Sequence, residues 1–182
     1  GGDAFRSCSS LKSITIPKNV ISIGRYAFFA CYSFTSISLP QNLTTVSESL
    51  FYNCNNLTSI YIPEGVTEIL MNAFYNCSKL ESITIPKNIC SISTDAFLFC
   101  TSLKAVTVDI DNSYYSDIDG VLFNKDHTSI IICPNNKDSE YTIPDQVISI
   151  GDYAFYGCSK LESITLPESI TSIGGYAFRS CS

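Results

Sequence analysis

The sequence has one histidine, no CxxC pair, and a charged fraction of only 15% over 182 residues. These shortages remove several functions at the outset. A catalytic triad needs a histidine beside an activated nucleophile, and His127 has no nucleophile-elbow motif to serve. Zinc sites draw on clustered cysteine and histidine, which this spacing does not supply. Nucleic acid is recognised by a basic stripe, whereas 11 Lys and Arg stand against 17 Asp and Glu, a net charge of −6. No apolar run approaches the roughly 18 residues that read as a membrane span. No basic, apolar leader stands at the start, so no targeting segment reveals the compartment. Neither an enzyme, a cofactor nor a bound metal is expected.

What is present is 45% hydrophobic, enough for an ordered core. The acidic excess is local: residues 105–145 hold eight acidic and two basic side chains, and the remainder carries nine of each. Asp109, Asp111, Asp117 and Asp119 lack the spacing of a calcium loop and read as turn chemistry. His127 falls in a turn and is expected to be solvated.

The dominant feature is a repeat. Ala-Phe followed by Cys three residues on begins at Ala4, Ala27, Ala73, Ala96, Ala154 and Ala177, with a variant at Leu50. The first five starts are 23 residues apart, as are the last two, and the gap from Ala96 to Ala154 is 58. Within a period the apolar places are fixed: Leu50, Phe51, Cys54, Leu57, Ile60, Ile62, Val66 and Ile69 in one copy. Alternation at Ile60 and Ile62 predicts a strand. Pro17, Pro40, Pro63, Pro86, Pro144 and Pro167 end that strand and force a corner. A second short strand fits Val20 to Ile23 and its equivalents. Asp3, Ser49, Asn72 and Asp95 precede the Ala-Phe segment and suit the cap of one helical turn. One coil cannot bury its own inward row, but stacked coils can. The fold expected over residues 1–182 is therefore α/β, mostly β with short helical turns, in one right-handed leucine-rich-repeat solenoid. Residues 105–145 form an irregular repeat with a protruding β-hairpin, its strands Val121–Phe123 and Ser129–Cys133.

Nine cysteines do not make a disulfide framework here. Cys8, Cys31, Cys54, Cys77, Cys100, Cys158 and Cys181 hold one repeat position, inward beside the Phe row. Neighbours in such a ladder point in parallel, while a disulfide wants Cβ atoms converging to about 3.8 Å. A reduced, buried ladder follows. Cys90 takes an outward place as an exposed thiol, and Cys133 lies off the ladder.

The outward strand places carry small hydroxyls, with Ser36, Ser38, Ser59, Tyr61, Ser82, Thr84, Thr107 and Thr165 as the candidate protein-binding row. A second row, Phe29, Tyr52, Tyr75, Leu98 and Tyr156, reads as half-buried packing, with a lateral aromatic binding stripe as the alternative. Sequons begin at Asn42, Asn56 and Asn76, matches that chance supplies in a chain rich in Asn, Ser and Thr.

The patterns Leu80-x-x-Ile83-x-Ile85-Pro86, Val147-x-x-Ile150-Gly151 and Ala154-Phe155-x-x-Cys158 resemble the BspA-like leucine-rich repeats, also called the Treponema pallidum type. The resemblance covers essentially the whole chain, and the stretch from Asp119 to Pro134 is similar to that family's interrupted repeat. It implies a cell-surface or secreted protein that adheres to host matrix proteins or other cells through a protein ligand. Two other readings stay open: an intracellular scaffold, which a reduced cysteine ladder permits, and an ice-binding solenoid with a Ser/Thr ladder.

Both ends fall at the same phase of the repeat, Gly1 to Ser9 matching Gly174 to Ser182 at eight of nine positions. The chain is accordingly expected to belong to a longer array and to self-associate head to tail.

Overall fold

Short extended pieces stack coil upon coil into parallel ladders in the computed structural model, which describes residues 1–181. In chain order the strands are β1 Thr45–Val46, β2 Glu68–Ile69, β3 Ser82–Ile85, β4 Ser91–Ile92, β5 Ala105–Val108, β6 Tyr115–Ile118, β7 Val121–Asn124, β8 Ser129–Ile132, β9 Glu140–Thr142, β10 Ser149–Ile150, β11 Ser163–Thr165 and β12 Ser172–Ile173. β3 pairs with β5 one period apart, Ser82 opposite Ala105 and Ile85 opposite Val108. The second strand of each coil makes its own ladder, β1 with β2 and β2 with β4. Beyond the irregular stretch β9 and β11 resume the first ladder type, and β8, β10 and β12 the second. Period-two alternation turns Ile83 and Ile85 inward and leaves Ser82 and Thr84 exposed.

The Ala-Phe segment is not helical, a correction to the sequence reading: no helix occurs among the described residues. Its amides alternate instead. Ala27, Phe29 and Cys31 donate to the carbonyl three residues back, while Tyr26, Phe28 and Ala30 donate to Glu48, Leu50 and Tyr52 of the next coil. An α-helix would need all of these N–H groups for itself. The geometry requires left-handed backbone near each end of the segment. Tyr26 and Ala30, Ser49 and Asn53, and Asn72 and Asn76 all have φ between 51° and 61°. Asp3, Ser49 and Asn72, read from sequence as helix caps, are left-handed residues in the fold. Asp, Asn and Ser suit either role because a short polar side chain satisfies nearby backbone.

The interior is a stack of rings. Phe5, Phe28, Phe51, Phe74 and Phe97 follow one another with centroids 5.3, 5.7, 5.5 and 5.3 Å apart and planes within 13° of parallel. Phe155 and Phe178 continue the pattern at 5.0 Å. Leucine, isoleucine and valine from both ladders fill the space around them.

The irregular stretch keeps the period for half a coil and then departs. Counting 23 from Ile89 lands on Asn112, which is wholly buried at an apolar place. Its Nδ2 donates to the carbonyls of Pro86 (2.8 Å) and Ile89 (3.0 Å), and its Oδ1 accepts the N–H groups of Tyr114 and Tyr115 (2.8 Å each). All four capacities are used, so the polar group replaces backbone bonds that the interrupted repeat cannot make. The chain then forms an antiparallel meander, β6 with β7 and β7 with β8, and β8 joins β10 in parallel. Rather than protruding, this hairpin is built into the sheet. Leu122 packs into the core of the preceding coils, Val121 and Phe123 into that of the following ones. At the β6–β7 turn Gly120 has φ +79°, and a Cβ there would lie 2.8 Å from that of Ala105. His127 also differs from expectation: its Nε2 is buried without a hydrogen-bond partner, and its ring stands edge-on to Phe123.

Candidate binding face

Ser36, Ser38, Ser59, Tyr61, Ser82, Thr84, Thr107 and Thr165 are all exposed. They do not form one continuous row. Ser38 sits opposite Tyr61, and Thr84 opposite Thr107 with their hydroxyl oxygens 3.0 Å apart, so Ser36 to Thr107 make one patch. Thr165 lies on the β9–β11 pair, opposite Thr142, in a second patch that also carries Glu140. Between them the Gly120 turn lies against β5, with the Val106 N–H bonded to the Gly120 carbonyl. Alternation located the outward side chains, but the interruption hid which of them share a neighbourhood.

The cysteine positions divide by place in the stack. Cys31, Cys54, Cys77, Cys100 and Cys158 are buried, Cys181 is half-buried, and Cys8 is exposed, as is Cys90; all nine are free thiols. Cys133 is buried too. Its N–H bonds the Ala154 carbonyl as the Phe residues of regular coils bond theirs, which puts it at the Phe place of the irregular coil. The ladder thiols donate to backbone: Cys31 to the Phe5 carbonyl (3.1 Å), Cys54 to Phe28 (3.1 Å), Cys77 to Phe51 (3.2 Å) and Cys100 to Phe74 (3.2 Å). These carbonyls also take the N–H of the cysteine three residues on, so both lone pairs are engaged. A small apolar side chain with one weak donor suits that place better than serine or alanine.

Burial makes these thiols inert. It pushes Cys31 up to about 11 and Cys100 to about 12, and raises Cys54 and Cys77 as well. Cys133 is raised first by its hydrogen bond with Cys158 and then by burial. A thiol-specific reagent should therefore react rapidly with two thiols of the native protein, Cys8 and Cys90, and with all nine after denaturation. The folded-state values lie above the ordinary 9.0. The stabilisation is thus intact below pH 9 and lost as pH rises through the folded values, so alkaline unfolding is expected. Alkylation of five or more thiols in native protein at pH 8 would contradict the packing.

The lateral aromatic row is a stack along the solenoid. Phe29 meets Tyr52 at 4.9 Å and Tyr52 meets Tyr75 at 4.4 Å, both near parallel. Leu98 is not the next member. Phe99, left-handed at φ 63°, meets Tyr75 at 5.0 Å and Tyr156 at 5.4 Å, carrying the row past the irregular segment. Tyr153 and Tyr176 extend it, and Arg6 over Phe29 and Arg179 over Tyr176 lie at its two ends. Burial and the adjacent Tyr52 push Tyr75 up to about 12. In the near-parallel part, ring faces meet ring faces, so the row holds coils together. The sequon amides have structural partners as well: Asn42 donates to the Lys18 carbonyl, Asn56 to that of Tyr32, and Asn76 to Asn53 Oδ1.

Charge is poorly compensated. Among the described residues only Arg6–Asp3 and Lys104–Glu81 form ion pairs. Lys125, inside the acidic stretch, gives its ammonium to the carbonyls of Ile110 and Asn112, and Lys137 gives its own to that of Asp119. No group of three metal-ligating side chains occurs among the described residues, and no helix is long and apolar enough to cross a membrane.

The sequence matches the BspA type leucine rich repeat region, in 6 copies, over residues 1–130 and 132–182. Among solved structures, the pneumococcal vaccine antigen PcpA superposes with a TM-score of 0.81 at 30% identity, over 94% of this chain and 40% of that one. A leucine rich cell surface protein of Faecalibacterium prausnitzii gives 0.77 at 31% identity, over 96% and 53%. A leucine-rich repeat protein from Eubacterium ventriosum gives 0.80 at 26%, over 93% and 51%. The chain thus spans about half or less of the length of these structures. No curated protein sequence matches it significantly.

Proposed function

This chain belongs to the BspA-type leucine-rich-repeat family, and from that premise we propose that it is a non-catalytic repeat region of a cell-surface or secreted protein, binding protein partners through its outward strand face. The observation that carries this is the patch from Ser36 to Thr107, whose short side chains project from paired backbone and are exposed. A rigid face of short side chains loses little conformational entropy on association, which favours binding to another folded surface. The resemblance to a pneumococcal vaccine antigen and to a cell surface protein supports the location. Host matrix proteins and cell-surface proteins are the partners this family resemblance suggests.

Surface plasmon resonance against a panel of purified extracellular-matrix proteins tests the proposal. The Ser59→Arg and Ser82→Arg substitutions, which place a long cation in the middle of the patch, should weaken binding at least about tenfold. Ser172→Arg, on the other ladder, should leave it unchanged. Equal affinity for all three variants, or no binding by any panel member, would reject this face. A second reading, an intracellular scaffold, is favoured by nine cysteines that are all free thiols. Antibody labelling of intact cells distinguishes the two.

A further inference from the structure

The row of small hydroxyls breaks at Tyr61, which is 57% exposed. Beside it a cavity of about 290 Å³ opens at the corner where the extended segments of three successive coils end. Tyr61 and Glu64 come from one coil, Thr84 and Pro86 from the next, and Asp109 from the third. Asp109 stands where a proline ends the strand in the coils before it: counting 23 from Pro86 lands on this residue. Its N–H bonds the Ile85 carbonyl at 2.9 Å, a bond proline could not make, and its Oδ1 accepts the N–H of Asp111. The loss of one proline thus puts a carboxylate on the rim.

Among the described residues neither Glu64 nor Asp109 has a cationic partner. Lys87, following Pro86 on the intervening coil, pairs with neither, and Lys125 and Lys137 are held by backbone carbonyls. Two uncompensated carboxylates beside an exposed phenol ring and a threonine hydroxyl match the chemistry of a guanidinium. The ring offers a cation–π face and the carboxylates offer charge-assisted bonds. The volume falls at the small end of ligand cavities, which run from roughly 300 to 1,000 Å³, and so suits one long side chain. Two carboxylates are too few for a calcium cage of six to eight oxygen ligands.

We propose that this corner is an anchor pocket for an arginine side chain from a basic segment of the protein that docks on the strand face. The pocket rests on the reading of that face as a protein-binding surface. Arginine is preferred to lysine because its planar fork can reach both carboxylates while stacking on Tyr61. The acidic stretch that begins at the pocket draws a basic segment toward it.

The test is fluorescence anisotropy with a fluorescein-labelled peptide of four alternating Arg-Gly pairs, at low salt. The E64Q/D109N double variant should weaken binding about tenfold and Y61A about threefold to tenfold. D138N/E140Q, which removes the same charge elsewhere, should change it less than about twofold, and a Lys-Gly peptide should bind more weakly. Equal weakening by both double variants would reduce the effect to net charge and overturn the pocket. Absence of binding, or displacement of the peptide by equimolar calcium, would overturn it too. If a matrix protein still binds E64Q/D109N normally while Ser82→Arg abolishes its binding, the face stands and the anchor falls. The altered side chains lie at the surface, so unchanged thermal melts serve as the folding control.

Discussion

Replacing Phe74 by alanine should lower the unfolding free energy by about 3–5 kcal/mol, the range for deleting a buried aromatic side chain. Phe74 is wholly buried and stacked on both sides, 5.5 Å from Phe51 and 5.3 Å from Phe97. The deletion removes its apolar contacts and both stacking partners, and leaves a hole between coils whose spacing is fixed by backbone bonds. Phe178 provides the internal comparison, being half-buried and stacked on Phe155 alone. Its truncation should lose about 1–2 kcal/mol, in proportion to its smaller buried area. Urea unfolding followed by circular dichroism measures both. Equal losses at the two positions would contradict both the deeper burial of Phe74 and the contribution of its second stacking partner.

Asn112→Ala should destabilise by about 2–4 kcal/mol despite removing only one small polar side chain. Two buried carbonyls, of Pro86 and Ile89, lose the amide that faces them, and two N–H groups lose their acceptor. Asn112→Asp discriminates the donors from the acceptor, since a carboxylate still accepts from Tyr114 and Tyr115 but has no proton for the carbonyls. At neutral pH it should be at least as damaging as alanine. Burial and the opposed carbonyls favour its protonated form in the fold, so its deficit is largest above the carboxyl titration and shrinks as pH falls. A pH series of unfolding midpoints reads this directly. An Asp variant as stable as the native protein at pH 7 would show that the carbonyls do not need that amide.

The period, the inward Phe and aliphatic rows and the outward hydroxyls were legible because burial in a stack imposes the same demand every 23 residues. The turn ribbon was not. Asp3, Ser49 and Asn72 signal a helix cap and a left-handed residue with the same chemistry, and only the neighbouring coil decides between them. Leu98 and Phe99 show a similar limit: spacing assigns Leu98 to the aromatic row, but the left-handed backbone of Phe99 swings its ring into line. Cys133 is off the cysteine ladder, as counting has it, but that it fills a Phe place is hidden because the insert shifts the phase. The clue to the corner pocket was in plain sight, an aspartate at a proline place, yet its meaning depends on Glu64 and Tyr61 lying across the corner, which no linear pattern states.

The alternating amides of the turn ribbon also bear on how the chain reaches this state. A coil whose left-handed residues are held by its neighbour's carbonyls has no reason to form alone, so the smallest growing seed is a pair of coils. Each such pair must close contacts 23 residues apart in sequence. The β7–β8 hairpin closes over only a short turn, a step of roughly 1–10 microseconds for hairpins in general, and it presents Leu122 to one core and Phe123 to the other. The interruption in the repeat is thus its natural point of initiation, from which ordered coils can be added in both directions.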